Sequence, residues 1–258
     1  RFKGPNGRPV FSPDGQYLSF SQSTGEGNFT MYEIDQLHLY HIPSGKVTNL
    51  SATIDRSVEG PVWSADSKFI YALQEDDRKQ HIVEFDVAKK SNRKLTAEAG
   101  VYSSLDINAK GQMVALYADK DTPNEIYIRK ENGFSRLTKL TEEFLAPLKP
   151  VYVKGFEAVS VDKNQVSGIL YLPDSSAKNL PLVLFIHGGP VAQDAYAFDM
   201  SRQVLAGAGF AVAAVNYRGS SGRGLAYTKA IYADWGNKEV KDIIAVADYL
   251  VKAGIADP

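Results

Sequence analysis

Apolar and polar positions alternate along most of the first half of the chain, and the alternation repeats. The stretches PVFSPDGQYLSFS (9–21), PVWSADSKFIYAL (61–73) and LDINAKGQMVALY (105–117) align when Phe11 is set against Trp63 and Ile107, at offsets of 52 and 44 residues. Asp14-Gly15, Asp66-Ser67 and Lys110-Gly111 then coincide at one turn. Period-two alternation flanks that turn, so each stretch predicts a β-hairpin. A second strand pair follows each: QLHLYHIPSGKVTNLS, HIVEFDVAKKSNRKLTA and EIYIRKENGFSRLTKLT. Their centres carry the turn residues Pro43-Ser44-Gly45, Lys89-Lys90-Ser91 and Glu131-Asn132-Gly133. Four short strands per unit, at a period of roughly 40–50 residues, predict blades of a β-propeller. A β-sandwich or meander with similarly spaced turns is the alternative. The recurring aromatic-Ser-x-Asp turn and Leu-Ser/Thr ending favour blades. Three blades cannot close a ring of about 4–8, so further blades are expected upstream.

After Thr141 the repeat stops, and EEFLAPLKP, with Pro147 and Pro150, reads as a linker. The sequence therefore predicts two regions, 1–143 and 144–258. In the second, VYVKGFEAVSVDKNQVSGILYLP alternates around Asp162-Lys163-Asn164 and predicts another hairpin. LPLVLFIHGG and FAVAAVNYRG are short continuous apolar runs, the pattern of buried, parallel strands. Between them QDAYAFDMSRQVLAGAGF has helical spacing at Ala195, Phe198, Val204 and Leu205, with Gly207 and Gly209 as caps. LAYTKAIYADWG predicts a helix to Gly236. NKEVKDIIAVADYLVKAG predicts an amphipathic one with Val240, Ile243, Ile244, Ala247 and Leu250 on the inner face and Asp242 on the polar side. Alternating strands and helices predict an open α/β sheet.

Composition narrows the function classes. The 258 residues are 44% hydrophobic and 23% charged with net charge −1, which gives no electrostatic reason for a nucleic acid or anionic membrane partner. There is no cysteine, hence no disulfide, thiol nucleophile or cysteine metal site. No apolar run approaches the ~20 residues that span a bilayer. The chain opens RFKGPNGRPVF, with neither a starting Met nor a signal-peptide core, and this is read as a non-native start. Cytoplasmic and periplasmic or secreted locations both stay open, as does a homo-oligomer. His38, His41 and His81 fall in strands without metal-ligand spacing, and Asp14 and Asp66 read as turn formers.

Blades followed by HGGP, then NYRGSSGRG, then WGNKEVKD, resemble the prolyl oligopeptidase family of serine peptidases, in its acylaminoacyl-peptidase and dipeptidyl-peptidase-like branch. The resemblance implies a mixed β and α/β fold: a partial propeller of about three blades, then the N-terminal part of an α/β-hydrolase domain. It implies hydrolysis of short peptides through an acyl-enzyme, with the propeller gating access and with no cofactor or metal. The family nucleophile lies in a G-x-S-x-G turn after the next strand, a motif this chain lacks. Gly219-Ser220-Ser221-Gly222 has the wrong spacing, so none of the Ser-Asp-His triad is assigned here. The triad is expected beyond Pro258, in the remainder of the same polypeptide, and the fragment alone is expected to be inactive. By resemblance, the Gly189 N–H is an oxyanion-hole donor, with Gly188 and His187 completing that loop. The imidazole of His187 either assists the oxyanion or orients the loop, and it is not taken as the general base. Arg218 reads either as a loop-organising group near the active site, held by carboxylates, or as a surface arginine at a strand end. Tyr217 is grouped with it as active-site support. Trp235 and Glu239 are read as fixing the entry to the last helix. An α/β-hydrolase esterase and a non-enzymatic propeller module with a degenerate hydrolase domain are the competing readings.

Overall fold

The computed structural model describes residues 7–25 and 31–258; the opening residues 1–6 lie outside the described residues. The first half forms three antiparallel units of four strands. The first is β1 (Val10–Phe11), β2 (Tyr17–Ser23), β3 (Asp35–His41) and β4 (Lys46–Asn49), paired in that order. The second is β5 (Val58–Trp63), β6 (Phe69–Asp76), β7 (Lys79–Asp86) and β8 (Ser91–Lys94). The third is β9 (Val101–Ile107), β10 (Met113–Ala118), β11 (Glu125–Lys130) and β12 (Gly133–Arg136). A single parallel pair, Gln80 with Val101, joins the second unit to the third. The described residues close no ring.

Period-two alternation explains how the units stack. On β6 and β7, Ile70, Ala72, Val83 and Phe85 pack with Leu37, Leu39, Val58 and Trp63 in a core shared with the first unit. The intervening Tyr71 and Ile82 pack with Tyr102, Met113, Ala115 and Tyr117 of the third. Both faces of the middle unit are thus buried. Fully burying one such side chain is worth about 1.5–3 kcal/mol. Trp63 also donates from Nε1 to Ser19 Oγ at 2.9 Å, which fixes the register of the first two units. Phe11, aligned with Trp63 in the sequence, is instead 64% exposed, because it lies on the outer side of the first unit. Asp14 and Asp66 are turn residues as expected: each accepts from the serine two positions earlier, at 2.6 and 2.7 Å.

One helical turn, α1 (Glu142–Leu145), follows the third unit. The sheet of the second half has the order β13 (Tyr152–Val159), β14 (Gln165–Leu172), β16 (Ala211–Asn216), β15 (Leu182–Phe185). β13 and β14 are the expected hairpin, β14 and β16 are antiparallel, and β15 and β16 are parallel. The pleat again divides the core. Leu170, Leu172, Ala213 and Val215 face α4 (Lys238–Lys252), while Ile169, Tyr171, Val212 and Ala214 face α2 (Met200–Gly207).

Four local expectations are corrected. β15 is only half-buried, because within the described residues it has one strand neighbour. The helix after HGGP begins at Met200, capped by Asp199 accepting from the Arg202 N–H; residues 191–199 are irregular. The next helix, α3, covers only Leu225–Lys229, and the chain then runs through turns in which Ala233 (φ +55°) and Gly236 (φ +82°) are left-handed. On α4 the buried stripe is Asp242, Ala245, Val246 and Leu250, while Val240 and Ile244 are 41% and 55% exposed. Asp242 therefore lies inside, because a buried arginine needs its carboxylate there.

Candidate functional site

The parallel strands β15 and β16 end on the same side of the sheet, and a loop leaves each. Ligands of α/β sheets bind in the crevice outside such carboxyl ends. The first loop begins Ile186-His187-Gly188-Gly189-Pro190, the second Tyr217-Arg218-Gly219-Ser220-Ser221-Gly222. Gly189 takes φ +131°, and a Cβ there would lie 2.8 Å from the Val191 nitrogen, so the position admits only glycine. Gly188 and Gly189 are exposed, and neither N–H has a hydrogen-bond partner among the described residues. The loop presents two free backbone donors.

Residues of the second loop hold the first. The Tyr217 hydroxyl donates to the His187 carbonyl at 2.6 Å, and its ring stacks on the imidazole at 4.8 Å. Burial, and then the charges of Glu239 and Asp194, push the Tyr217 hydroxyl pKa up, which keeps it a donor. Ser220 is fully buried and gives its proton to the Tyr217 carbonyl at 2.6 Å. The same Oγ meets His187 Nε2 at 2.9 Å, so there it can only accept. His187 Nδ1 lies 3.1 Å from the Gly188 carbonyl oxygen. In the Nε2–H or the doubly protonated form, Nε2 is a donor spent on Ser220 and not a lone pair. Ser220 is correspondingly unsuited to attack a carbonyl, since it is buried and its proton is committed.

Arg218 points elsewhere. It is 6% exposed and grips Asp242 with Nε at 2.9 Å and Nη2 at 2.7 Å, while its own N–H reaches the same carboxylate at 2.9 Å. Nη1 pairs with Asp162. Burial opposes the charge, but the hydrogen bonds to Asp242 and Asp162 outweigh it and raise the guanidinium pKa above its ordinary value. The surface alternative for Arg218 is thereby excluded; it ties the second loop to α4 and to the β13–β14 turn. None of its hydrogen bonds reaches the glycine loop.

The structure thus brings His187, Gly188, Gly189 and Tyr217 together and sets Arg218 behind them. Sequence reading passed over three partners. Ser220 enters the sequence reading only as part of a motif with the wrong spacing for a nucleophile. Asn216 exchanges two bonds with the Asp194 main chain, at 2.7 and 2.9 Å. Gln193 holds a turn of the second β unit. An acidic residue in register with Ala245 and Val246 on α4 was the available signal for Asp242. For Gln193 the sequence carries none. Glu239 does brace the start of α4, accepting the Gly236 N–H. Trp235 instead bonds Tyr32 of the first unit and is 62% exposed. No group of three or more His, Cys, Asp or Glu among the described residues is placed to hold a metal.

A family model for the prolyl oligopeptidase family matches residues 196–258. Dipeptidyl-peptidase 5 of Trichophyton schoenleinii is 27% identical over 96% of this chain, which covers 35% of that protein. Dipeptidyl aminopeptidase BIII of Pseudoxanthomonas mexicana is 28% identical over 94% of this chain, covering 36% of that protein. The chain thus spans about a third of the length of these curated relatives. The acylaminoacyl peptidase of Pyrococcus horikoshii has the same fold, with a TM-score of 0.83 at 21% identity over 97% of this chain and 39% of its own. Residues 196–258, which include the NYRG loop, thus resemble the prolyl oligopeptidase family, and nearly the whole chain is similar to dipeptidyl peptidases and shares the fold of an acylaminoacyl peptidase.

Proposed function

We propose that the polypeptide carrying this chain is a serine peptidase that cleaves short peptides through an acyl-enzyme. In this reading residues 1–143 are propeller blades and residues 144–258 are the first part of an α/β-hydrolase domain. Stacking of three four-stranded units, with both faces of the middle one buried, supports the blades. The blades gate access to the site. The nucleophilic serine, its histidine and the acid come from the same polypeptide outside this chain, and the chain alone is inactive.

The observation that carries the reading is the Gly188–Gly189 loop. It stands at the end of a parallel strand, its geometry at Gly189 admits only glycine, and both N–H groups are unpaired among the described residues. In acyl transfer such donors stabilise the oxyanion of the tetrahedral intermediate, one of them being worth about 2.7–4 kcal/mol of barrier. His187 contributes by fixing the loop, since its Nε2 is engaged by Ser220. The second donor is the N–H after the nucleophile.

The test is hydrolysis of peptide p-nitroanilides and p-nitrophenyl esters by the whole polypeptide, together with fluorophosphonate labelling. Peptide turnover with one labelled serine outside this chain is expected. Ester turnover without peptide turnover would favour an esterase. No labelling would favour a binding module, and labelling of Ser220 or Ser221 would refute the assignment.

A further inference from the structure

The Gly188–Gly189 loop is anchored at both ends and free in the middle. At its start, Tyr217 holds the His187 carbonyl. At its far end stands Gln193, whose partners belong to the middle β unit. The turn between β6 and β7 is Asp77-Arg78, with Arg78 in a left-handed conformation at φ +63°. Gln193 Oε1 accepts from the Arg78 N–H at 3.0 Å, and Gln193 Nε2 donates to the Lys79 carbonyl at 3.0 Å. One carboxamide thus satisfies a donor and an acceptor of two successive residues, as a neighbouring strand would. The Tyr196 N–H adds a bond to the Arg78 carbonyl at 2.8 Å.

The turn is itself fixed. Arg78 Nη1 donates to the carbonyls of Phe156 and Gly168 at 3.1 and 3.2 Å, and Nη2 pairs with Glu157 at 2.6 Å. Ser167 Oγ donates to Asp77 at 2.6 Å. Gly155 makes room, since a Cβ there would lie 2.0 Å from the Tyr196 hydroxyl and 2.9 Å from Arg78 Nη1. Gly222 does the same for Gln193: a Cβ at 222 would lie 2.3 Å from Gln193 Oε1. Gln193 is therefore wedged between the turn and the second loop. Next to it, the Ala192 carbonyl accepts from the Ser221 N–H at 2.9 Å.

We propose that Gln193 is a positioning residue: by gripping the Arg78–Lys79 main chain it fixes, from the middle β unit, where the Gly188–Gly189 donors stand. The inference rests on the oxyanion reading of that loop. Because neither glycine N–H is bonded among the described residues, and the Gly188 carbonyl meets only the ring of the adjacent His187, the two anchors define their place. A displacement of about 1 Å at such a site costs on the order of 100-fold in rate.

The experiment uses the whole polypeptide that carries this chain and the variants Gln193→Ala and Gln193→Glu. For Gln193→Ala, kcat per fluorophosphonate-titrated site is expected to fall about tenfold or more, with KM changed by less than about threefold. Gln193→Glu keeps the acceptor for the Arg78 N–H and is expected to lose less. Hydrogen exchange at the Ser221 amide should quicken at least about tenfold in Gln193→Ala, while the Arg218 amide, bound to Asp242, stays unchanged. Normal kcat per titrated site in a folded variant overturns the proposal, as does a loss seen only in the number of titratable sites. Should the unsubstituted protein hydrolyse nothing, the oxyanion reading fails. The exchange measurement then decides alone, and an unaltered Ser221 amide overturns the positioning role.

Discussion

His187 Nε2 lies 2.9 Å from Ser220 Oγ, and that Oγ has already given its proton to the Tyr217 carbonyl 2.6 Å away. Nε2 must therefore carry hydrogen. With only four histidines in the chain, nitrogen-15 spectra assigned by single replacements can report the ring's form. The expected signature at His187 is the Nε2–H tautomer or the doubly protonated ring; an Nδ1–H tautomer would contradict the geometry. Ser220→Ala leaves the His187 ring N–H without its partner and the Tyr217 carbonyl with only the residue-220 main-chain N–H. It is expected to lower stability by about 1–3 kcal/mol in chemical unfolding.

Arg218 and Asp242 form a buried pair in which each would be costly alone. Arg218→Ala leaves the fully buried Asp242 carboxylate unpaired and is expected to cost about 3–5 kcal/mol. Arg218→Lys should recover only part of this, because an ammonium cannot reproduce the two-point grip on Asp242 while also reaching Asp162. Urea midpoints of the two variants check this, and equal midpoints for Lys and the original Arg would be the contrary result.

Three carboxylates meet between the first two β units. Asp35 and Glu59 interact closely, and Glu75 lies close enough to repel Glu59. Burial first, then the charges of Asp35 and Glu75, push Glu59 from 4.5 up to about 7. The folded state then holds more protons than the unfolded state between those values. Stability from this cluster is present at acid pH and is lost as pH rises from 4.5 through about 7. Glu59→Gln should flatten that window and raise stability at pH 8. Thermal unfolding at pH 5 and pH 8 measures it, and an unchanged difference between the two would count against the cluster.

The repeat and the motifs were legible for physical reasons. Alternation has period two, so PVWSADSKFIYAL announced a hairpin of a repeated unit, while burial of both its faces emerged only from the packing of the neighbouring units. Glycine pairs after an apolar run likewise announced a strand end with unusual backbone. What stayed hidden was set by contacts distant in sequence. Gln193 binds residues more than a hundred positions away, with no local pattern to mark it. The Ala195–Phe198 segment has helical spacing, yet Tyr196 and Asp194 are claimed by Arg78, Asn216 and Arg202 before a helix can form. Asp242 sat one position off the apolar stripe, and the buried Arg218 decided which stripe turned inward.

The Gly189 N–H carries the functional reading, and side-chain substitution is a poor probe of it. Proline holds φ near −65°, and alanine would place a Cβ 2.8 Å from the Val191 nitrogen in a backbone at φ +131°. Either change would move the loop as well as remove or burden the donor. Replacing the Gly188–Gly189 amide by an ester removes the N–H and leaves the backbone free to keep its conformation. In the whole polypeptide, with sites counted by fluorophosphonate titration, kcat for peptide hydrolysis should fall about 10²–10³-fold with KM little changed. A folded ester variant whose kcat per site stays within about threefold of the unmodified protein would contradict the oxyanion role of this loop, since one such donor is worth far more.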